Sequence, residues 1–333
     1  TGDLTLGGSN PTLTFNSGGS QTGLYFNGGT QSFGGTGSVV FATNSTGNRI
    51  EMAAGTDLTI GPNIAISGAG GYVGANTPTA LVTLQGGGTG GITSDVAGNI
   101  AVFNFTNESS LTAVTSGDLS LHGTSWTNTA SGVISADGVG STINMVAPGW
   151  TNAGSISVIN GATLTTGGTP TSGVSDYTNI SIDGSGTGGS TINLAGPLTR
   201  AELLAFGRDP LSTIILLSGT LDNTGGTLTL DNTTGNLIFN NGTVNGGTLA
   251  STVDAGYLFN GSVDINFTGG VILDTDINFA NTNQIRVTGD LTLGGSNPTL
   301  TFNSGGSQTG LYFNGGTQSF GGTGSVVFAT NST

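Results

Sequence analysis

Residues Gly219–Leu249 read GTLDNTGGTLTLDNTTGNLIFNNGTVNGGTL. Short apolar pairs such as Leu228/Leu230 and Leu237/Phe239 alternate with Thr or Ile and are broken by Gly, Asn and Asp. Period-two alternation sends one set of side chains inward and the other outward, which is the pattern of a β-strand. The breakers tolerate left-handed backbone, so they suit tight corners. Here the apolar pairs recur about every 7–10 residues, which suits three faces of a coil of roughly 20–25 residues.

The same grammar runs along the whole chain, as in Leu4-Thr5-Leu6, Thr12-Leu13-Thr14-Phe15 and Ile265-Asn266-Phe267. Such spacing fits an antiparallel sandwich or barrel, or a parallel β-solenoid. Hairpin cues are not placed in pairs around strands, whereas echoes occur at coil-like distances. Trp126-Thr127-Asn128 returns as Trp150-Thr151-Asn152. The expected fold is therefore all-β, a continuous parallel β-solenoid. Apolar side chains would stack on their equivalents in neighbouring coils, and corner asparagines would form amide ladders.

A longer repeat is superimposed on this one. Residues 1–46 recur without change as residues 288–333, an offset of 287 residues. Residues 1–287 are read as one full tandem period and 288–333 as the start of the next, a window on a tandem array in one polypeptide. At about 22 residues per coil a period holds about 13 coils. At roughly 4.8 Å per stacked strand it is about 60 Å long.

Composition narrows the function. Gly makes up 63 of 333 residues, charged residues 7% and hydrophobic residues 34%. Lys is absent, the cations are Arg49, Arg200, Arg208 and Arg286, and the net charge is −14. Such a chain is not expected to bind nucleic-acid phosphates or an anionic membrane surface. No apolar run approaches the roughly 18 residues of a membrane helix, so no membrane insertion is expected of this segment. With no cysteine there are no disulfides or thiolate metal sites, and a stacked-coil core does not require them.

The Gly219–Leu249 run, the Trp-Thr-Asn echoes and the phrases Gly225-Gly226-Thr227-Leu228 and Gly246-Gly247-Thr248-Leu249 resemble the repeats of filamentous-haemagglutinin-like and autotransporter-passenger surface proteins. The resemblance covers most of the chain, in composition and phrase rather than in a diagnostic motif. It implies a right-handed parallel β-helix, secretion to the cell surface, and a role in adhesion or matrix formation. The near-perfect long repeat and the absence of Lys depart from that pattern and leave room for a purely structural filament rather than a host-directed adhesin.

One segment interrupts the strands. Pro197–Gly207 predicts a short helix near 199–206, with Thr199 as N-cap, Glu202 completing a capping box, and Gly207 as the stop. Leu203, Leu204 and Phe206 would form its apolar side.

Candidate sites are few. Asp274-Thr275-Asp276 would place two carboxylates on one strand face, where they could hold a hard cation, although solvated outward side chains are the ordinary outcome. Asp222 and Asp231 are the other acidic pair. His122, the single histidine, has no partner for nucleophilic or metal chemistry in its vicinity and is read as a surface or corner residue. Thr12/Thr14 and Thr227/Thr229 have the Thr-x-Thr form that can order ice, but are read as ordinary strand residues. Asn-x-Ser/Thr sequons occur at Asn44, Asn104, Asn107, Asn179, Asn232, Asn241, Asn260, Asn266 and Asn331, with Asn266 in a strand-like run where burial could block it.

The expected function is thus structural: a segment of a giant extracellular fibre or cell-surface stalk, with neighbouring repeats of itself as partners end to end and possible lateral bundling. The chain is not expected to be an enzyme, and no catalytic, cofactor-binding or metal residue is assigned. The second reading is an adhesin that recognises glycans or a partner cell surface through the helix or through outward Trp126, Trp150 and Tyr177.

Overall fold

The computed structural model describes residues 2–171, 173–183, 189–210, 212–280, 283–304 and 308–329. It is all-β, with 56% strand and 3% helix, and its parallel sheets stack as a β-solenoid of about 13 turns. In-register partners lie 19 to 29 residues apart, from Ile92↔Leu111 to Leu4↔Phe33. The chain divides into two compact units, Thr1–Thr191 with Ala205–Arg208, and Ile192–Leu204 with Asp209–Thr333.

In the first unit three parallel sheets form the three faces. One runs from Leu4–Leu6 to Thr169–Pro170, the second from Thr12–Phe15 to Gly207–Arg208, and the third from Thr22–Phe26 through to Thr163–Thr166. Each coil contributes one strand to each face in turn. The alternation seen in the sequence decides which side chains go inside. Val39, Ile66, Ile92, Leu111, Ile134, Ile156 and Ile180 are register partners down the second face, and all are fully buried. A β-branched or Leu side chain thus meets its like above and below, and each coil buries its apolar stripe only because its neighbours are there.

In the second unit the corners tighten until two faces share one strand. The strands Thr243–Ser251 and Asp264–Asp274 pair from Thr243↔Asn266 to Ala250↔Asp274, with a register shift between Asn245 and Gly247. Gly246 and Gly247 (φ 64° and 71°) and Gly269 and Gly270 (φ 68° and 80°) turn the corner inside those strands. A Cβ on Gly247 would lie 1.9 Å from the Asn223 carbonyl oxygen, so only glycine fits. This explains the Gly-Gly-Thr-Leu phrases. Thr227 and Leu228 pair with Thr248 and Leu249, so the phrase is one corner repeated in successive coils.

Among the described residues, much of the duplicated segment forms equivalent strands in both places, although the strand Gly29–Gly35 has only the shorter Phe320–Gly322 as its counterpart. Leu4–Leu6, Thr12–Phe15 and Gly37–Phe41 reappear as Leu291–Leu293, Thr299–Asn303 and Ser325–Ala329. Leu4↔Phe33 and Thr12↔Ser38 reappear as Leu291↔Phe320 and Thr299↔Ser325. The Asp3 carboxylate accepts the Ser32 N–H at 2.8 Å, and Asp290 accepts that of Ser319 at 2.8 Å. The period boundary at 287/288 falls inside the strand Gln284–Thr288.

Two short helices break the strands. Helix α1 (Val174–Tyr177) was not foreseen from the sequence. Helix α2 (Arg200–Ala205) is the expected one, and its capping box is formed: the Thr199 N–H donates to Glu202 Oε2 at 2.6 Å, and the Glu202 N–H donates to Thr199 Oγ1 at 3.3 Å. Leu203 and Phe206 are buried as expected, but Leu204 is exposed. At about 100° per residue, Glu202, Leu203 and Phe206 fall within one arc of the helical turn, which faces inward, and Leu204 lies beyond it and faces out. Thr199→Ala removes the cap and should destabilise α2 by about 1 kcal/mol, read as faster hydrogen exchange confined to residues 201–206.

Candidate functional site

The expected outward aromatics are inside. Trp126, Trp150 and Tyr177 are 2%, 0% and 2% exposed. They belong to a buried column in which Phe105 stacks on Trp126 (5.6 Å between centroids), Trp126 on Trp150 (5.5 Å), and Trp150 and Tyr177 meet edge to face (5.2 Å), as do Tyr177 and Phe206 (4.8 Å). They therefore cannot present a ligand platform. The physical reason is stacking: rings repeated in register cover one another's faces and exclude water, a better outcome for two indoles than exposure.

Two residues on from Phe105, Trp126 and Trp150 an asparagine also points inward. Asn107 Nδ2 donates to Asn128 Oδ1 at 2.8 Å, and Asn128 Nδ2 to Asn152 Oδ1 at 2.8 Å. Asn152 closes the ladder on α1, its Nδ2 donating to the Asp176 carbonyl at 3.1 Å and its backbone N–H to the Asp176 carboxylate at 2.7 Å. All four side chains are buried. The amide ladder anticipated at the corners thus exists, as a structural element whose polar groups satisfy one another.

His122 lies in an outer stack. Its ring lies on Phe103 (4.7 Å), Phe103 lies on Tyr72 (4.3 Å), and the Arg49 guanidinium sits 5.3 Å from the Tyr72 centroid. Burial holds the imidazole below its ordinary pKa of 6.5 and pushes the Tyr72 phenol up. The folded state therefore binds the His122 proton more weakly than the unfolded chain. Its contribution to stability is present above about pH 6.5 and lost as the pH falls below that value. Urea midpoints should drop modestly between pH 7.5 and 5.5, and His122→Phe should remove that part of the drop.

The acidic pairs are used within the fold. Asp274 Oδ1 accepts the Ser296 hydroxyl at 2.6 Å and the Ser296 N–H at 2.9 Å, while Asp276 Oδ1 accepts the Thr299 N–H at 2.7 Å. Asp274 ends a strand and Asp276 lies beyond it, with Thr275 buried between them. Asp222 and Asp231 accept from Thr224 and from Thr233 and Thr234 in their own turns. These bonds, led by the Thr224, Thr233 and Ser296 hydroxyls, hold the Asp222, Asp231 and Asp274 carboxyls below their ordinary range, and the Ser319 N–H does the same for Asp290. Among the described residues no group of three or more His, Asp or Glu could hold a metal ion, and no helix is long and apolar enough to cross a membrane.

The Thr-x-Thr pairs do not build flat arrays. Thr12 and Thr14 meet Ser38 and Val40, Thr229 meets Ala250, and Thr227 meets Thr248, whose next partner is Ile272. A different rank does form. Thr59, Thr83, Thr106, Thr127 and Thr151 are register partners on the first face, and the Thr151 hydroxyl donates to that of Thr127 at 3.0 Å. These threonines are 21 to 24 residues apart, so only the register reveals the rank. Of the sequons, Asn104 and Asn107 are buried, Asn44, Asn179, Asn232, Asn241 and Asn260 are exposed, and Asn266 is half-buried. Asn331 lies outside the described residues.

The most site-like concavity is in the second unit, a groove of about 950 Å³. It arises where the strand Thr243–Ser251 gives way to a loop before Tyr257–Phe259, beside Ile277–Ala280, the edge strand of a three-stranded sheet. Val253, Leu258 and Phe259 supply apolar lining, and Asp274, Asp276 and Asn278 supply acceptors and an amide. Val253 is 100% exposed and Leu258 46%. Such a lining can hold a neutral polar ligand with an apolar face. The groove was not legible in the sequence, because it depends on which coil omits a strand. No protein family, curated protein or solved structure matches the chain.

Proposed function

We propose that this chain is a structural segment of a tandem-repeat extracellular filament or cell-surface stalk, stabilised by coil-on-coil stacking. The observation that carries the reading is the duplicated segment, whose pairings Leu4↔Phe33 and Thr12↔Ser38 recur as Leu291↔Phe320 and Thr299↔Ser325, as a modular repeat requires. The low charge, the absence of Lys and the resemblance to filamentous-haemagglutinin-like surface proteins support an extracellular role. The reading assigns no catalytic, cofactor or metal residue. Antibodies to this segment should decorate filaments outside the cells that make it, at regular intervals along each filament. Confinement of the label to the cell interior would overturn the proposal.

The groove at Val253, Leu258 and Phe259 favours a second reading, an adhesive module for glycans. Binding on a glycan array that is lost in Val253→Asp and kept in Leu204→Ser would favour it over a purely structural role.

A further inference from the structure

The coil step from Thr243–Ser251 to Asp264–Asp274 is hydrogen-bonded on two faces and open on the third. Val244 pairs with Phe267, and Leu249 with Leu273. On the third face Tyr257–Phe259 is the last strand of an eleven-stranded sheet, and Ile277–Ala280, one coil further on, is the first of a three-stranded sheet. Among the described residues no backbone hydrogen bond joins these two strands. Phe259 and Phe279 still touch, with ring centroids 4.9 Å apart. The corners account for the parting. The corner before Tyr257 spans 252–256, whereas the corner before Ile277 spans only 275–276, so the two coils turn at different places.

The groove described above lies at this parting, with Tyr257, Leu258 and Phe259 on one side and Asn278 and Ala280 on the other. The strand Ile277–Ala280 pairs with Thr299–Asn303 on one side only. The N–H and C=O groups it turns the other way form an open sheet edge, a template for another strand. An aliphatic strip leads to this edge. Leu216, Ile238 and Leu258 are register partners at outward positions of three successive coils, with Ile214 and Val253 exposed beside them. On the second face of the first unit the outward column is Thr93, Thr112, Ser135 and Ser157. Aliphatic side chains in that position mark a surface that meets a partner.

We infer that this edge is a docking surface for an extended segment of another protein, about as long as the four-residue strand it pairs with. The segment adds a strand along Ile277–Ala280, lays alternate apolar side chains on Leu258 and Val253, and sets a Lys or Arg against Asp274 and Asp276. Main-chain hydrogen bonds supply the affinity and the alternate side chains the specificity. Charge selects the occupant. The charged residues lining the groove are both acidic, and each uses only Oδ1 within the fold, Asp274 toward Ser296 and Asp276 toward Thr299. A second copy of this chain does not fit. It has no Lys, its Arg49, Arg286 and Arg200 are engaged by Glu51, Asp264 and the Thr227 carbonyl, and two chains of charge −14 repel. A sugar lacks the row of amide donors and carbonyl acceptors at strand spacing that this edge matches. The inference is independent of the filament proposal. It keeps the groove of the adhesive reading and puts a peptide there instead of a glycan.

Hydrogen exchange of the 333-residue chain with and without the synthetic peptide Lys-Thr-Val-Thr-Val-Lys tests it. At saturation the peptide should slow the groove-facing amides of 277–280 about 10-fold or more. Glu in place of both Lys should weaken binding about 10-fold at low salt. Asp276→Asn, which keeps an acceptor for the Thr299 N–H, should also weaken binding of the Lys peptide. Methylating alternate amide nitrogens of the peptide should abolish the protection, which a purely apolar or ionic contact would survive. Unprotected amides at millimolar peptide overturn the inference, as does equal protection by the methylated or the Glu peptide. Protection by cellohexaose and not by the peptide overturns it in favour of the glycan reading. None of these results bears on whether filaments are found outside cells.

Discussion

Trp126→Ala should lower the stability of the first unit by about 3–5 kcal/mol, the largest effect expected of any single substitution described above. Trp126 is sandwiched between Phe105 and Trp150 with interplanar angles of 5° and 13°. Truncation removes the buried indole and leaves a cavity flanked by two rings held in place by their own coils. Backbone pairing on both sides resists collapse into that space. Because each coil contacts only its neighbours, the damage should spread along the stack and surface as an early unfolding step centred on residues 105–177. Urea unfolding followed by the fluorescence of the remaining Trp150 checks this. A loss below about 1 kcal/mol would mean that the indole is not the buried, stacked group described.

Asn128→Ala should cost about 2–5 kcal/mol, although an alanine is smaller and less polar than what it replaces. The central rung of the ladder disappears, so Asn152 Oδ1 loses its donor and Asn107 Nδ2 loses its 2.8 Å acceptor. Both groups stay buried, Asn107 Nδ2 keeping only its 3.3 Å bond to the Val133 carbonyl, and a buried polar atom that loses its partner costs more than the hydrogen bond was worth. Thr127→Ala, next door and pointing outward, should stay within about 0.5 kcal/mol. Equal effects for the two substitutions would contradict the ladder.

Much of the fold can be read in the sequence because a solenoid writes its geometry locally. The 24-residue Trp-Thr-Asn echo is a coil step, with Trp126, Thr127 and Asn128 in register with Trp150, Thr151 and Asn152. The repeated Gly-Gly-Thr-Leu is a repeated corner, and Thr199 with Glu202 is a capping box formed within four residues. What escapes the sequence is whatever depends on contacts between coils. Alternation says that Trp126 and Asn128 share a side but not which side. Only the stacking of like on like sends them inward, and this is why the outward reading of Trp126, Trp150 and Tyr177 fails. Leu204 fails for a related reason, since composition marks the helix as apolar while only one arc of its turn faces inward. The Thr59–Thr151 rank and the groove at Val253 depend on register and on an omitted strand. Insertions at corners stretch coils from 19 to 29 residues, so no fixed period in the sequence foretells either.

The central claim is that, within each unit, successive coils stack as parallel, hydrogen-bonded strands. X-ray diffraction from an oriented, hydrated sample of the 333-residue chain tests it most directly. A meridional reflection near 4.8 Å is expected, the spacing of hydrogen-bonded strands stacked coil on coil. A pattern with that reflection absent from the meridian, or turned onto the equator, would contradict it.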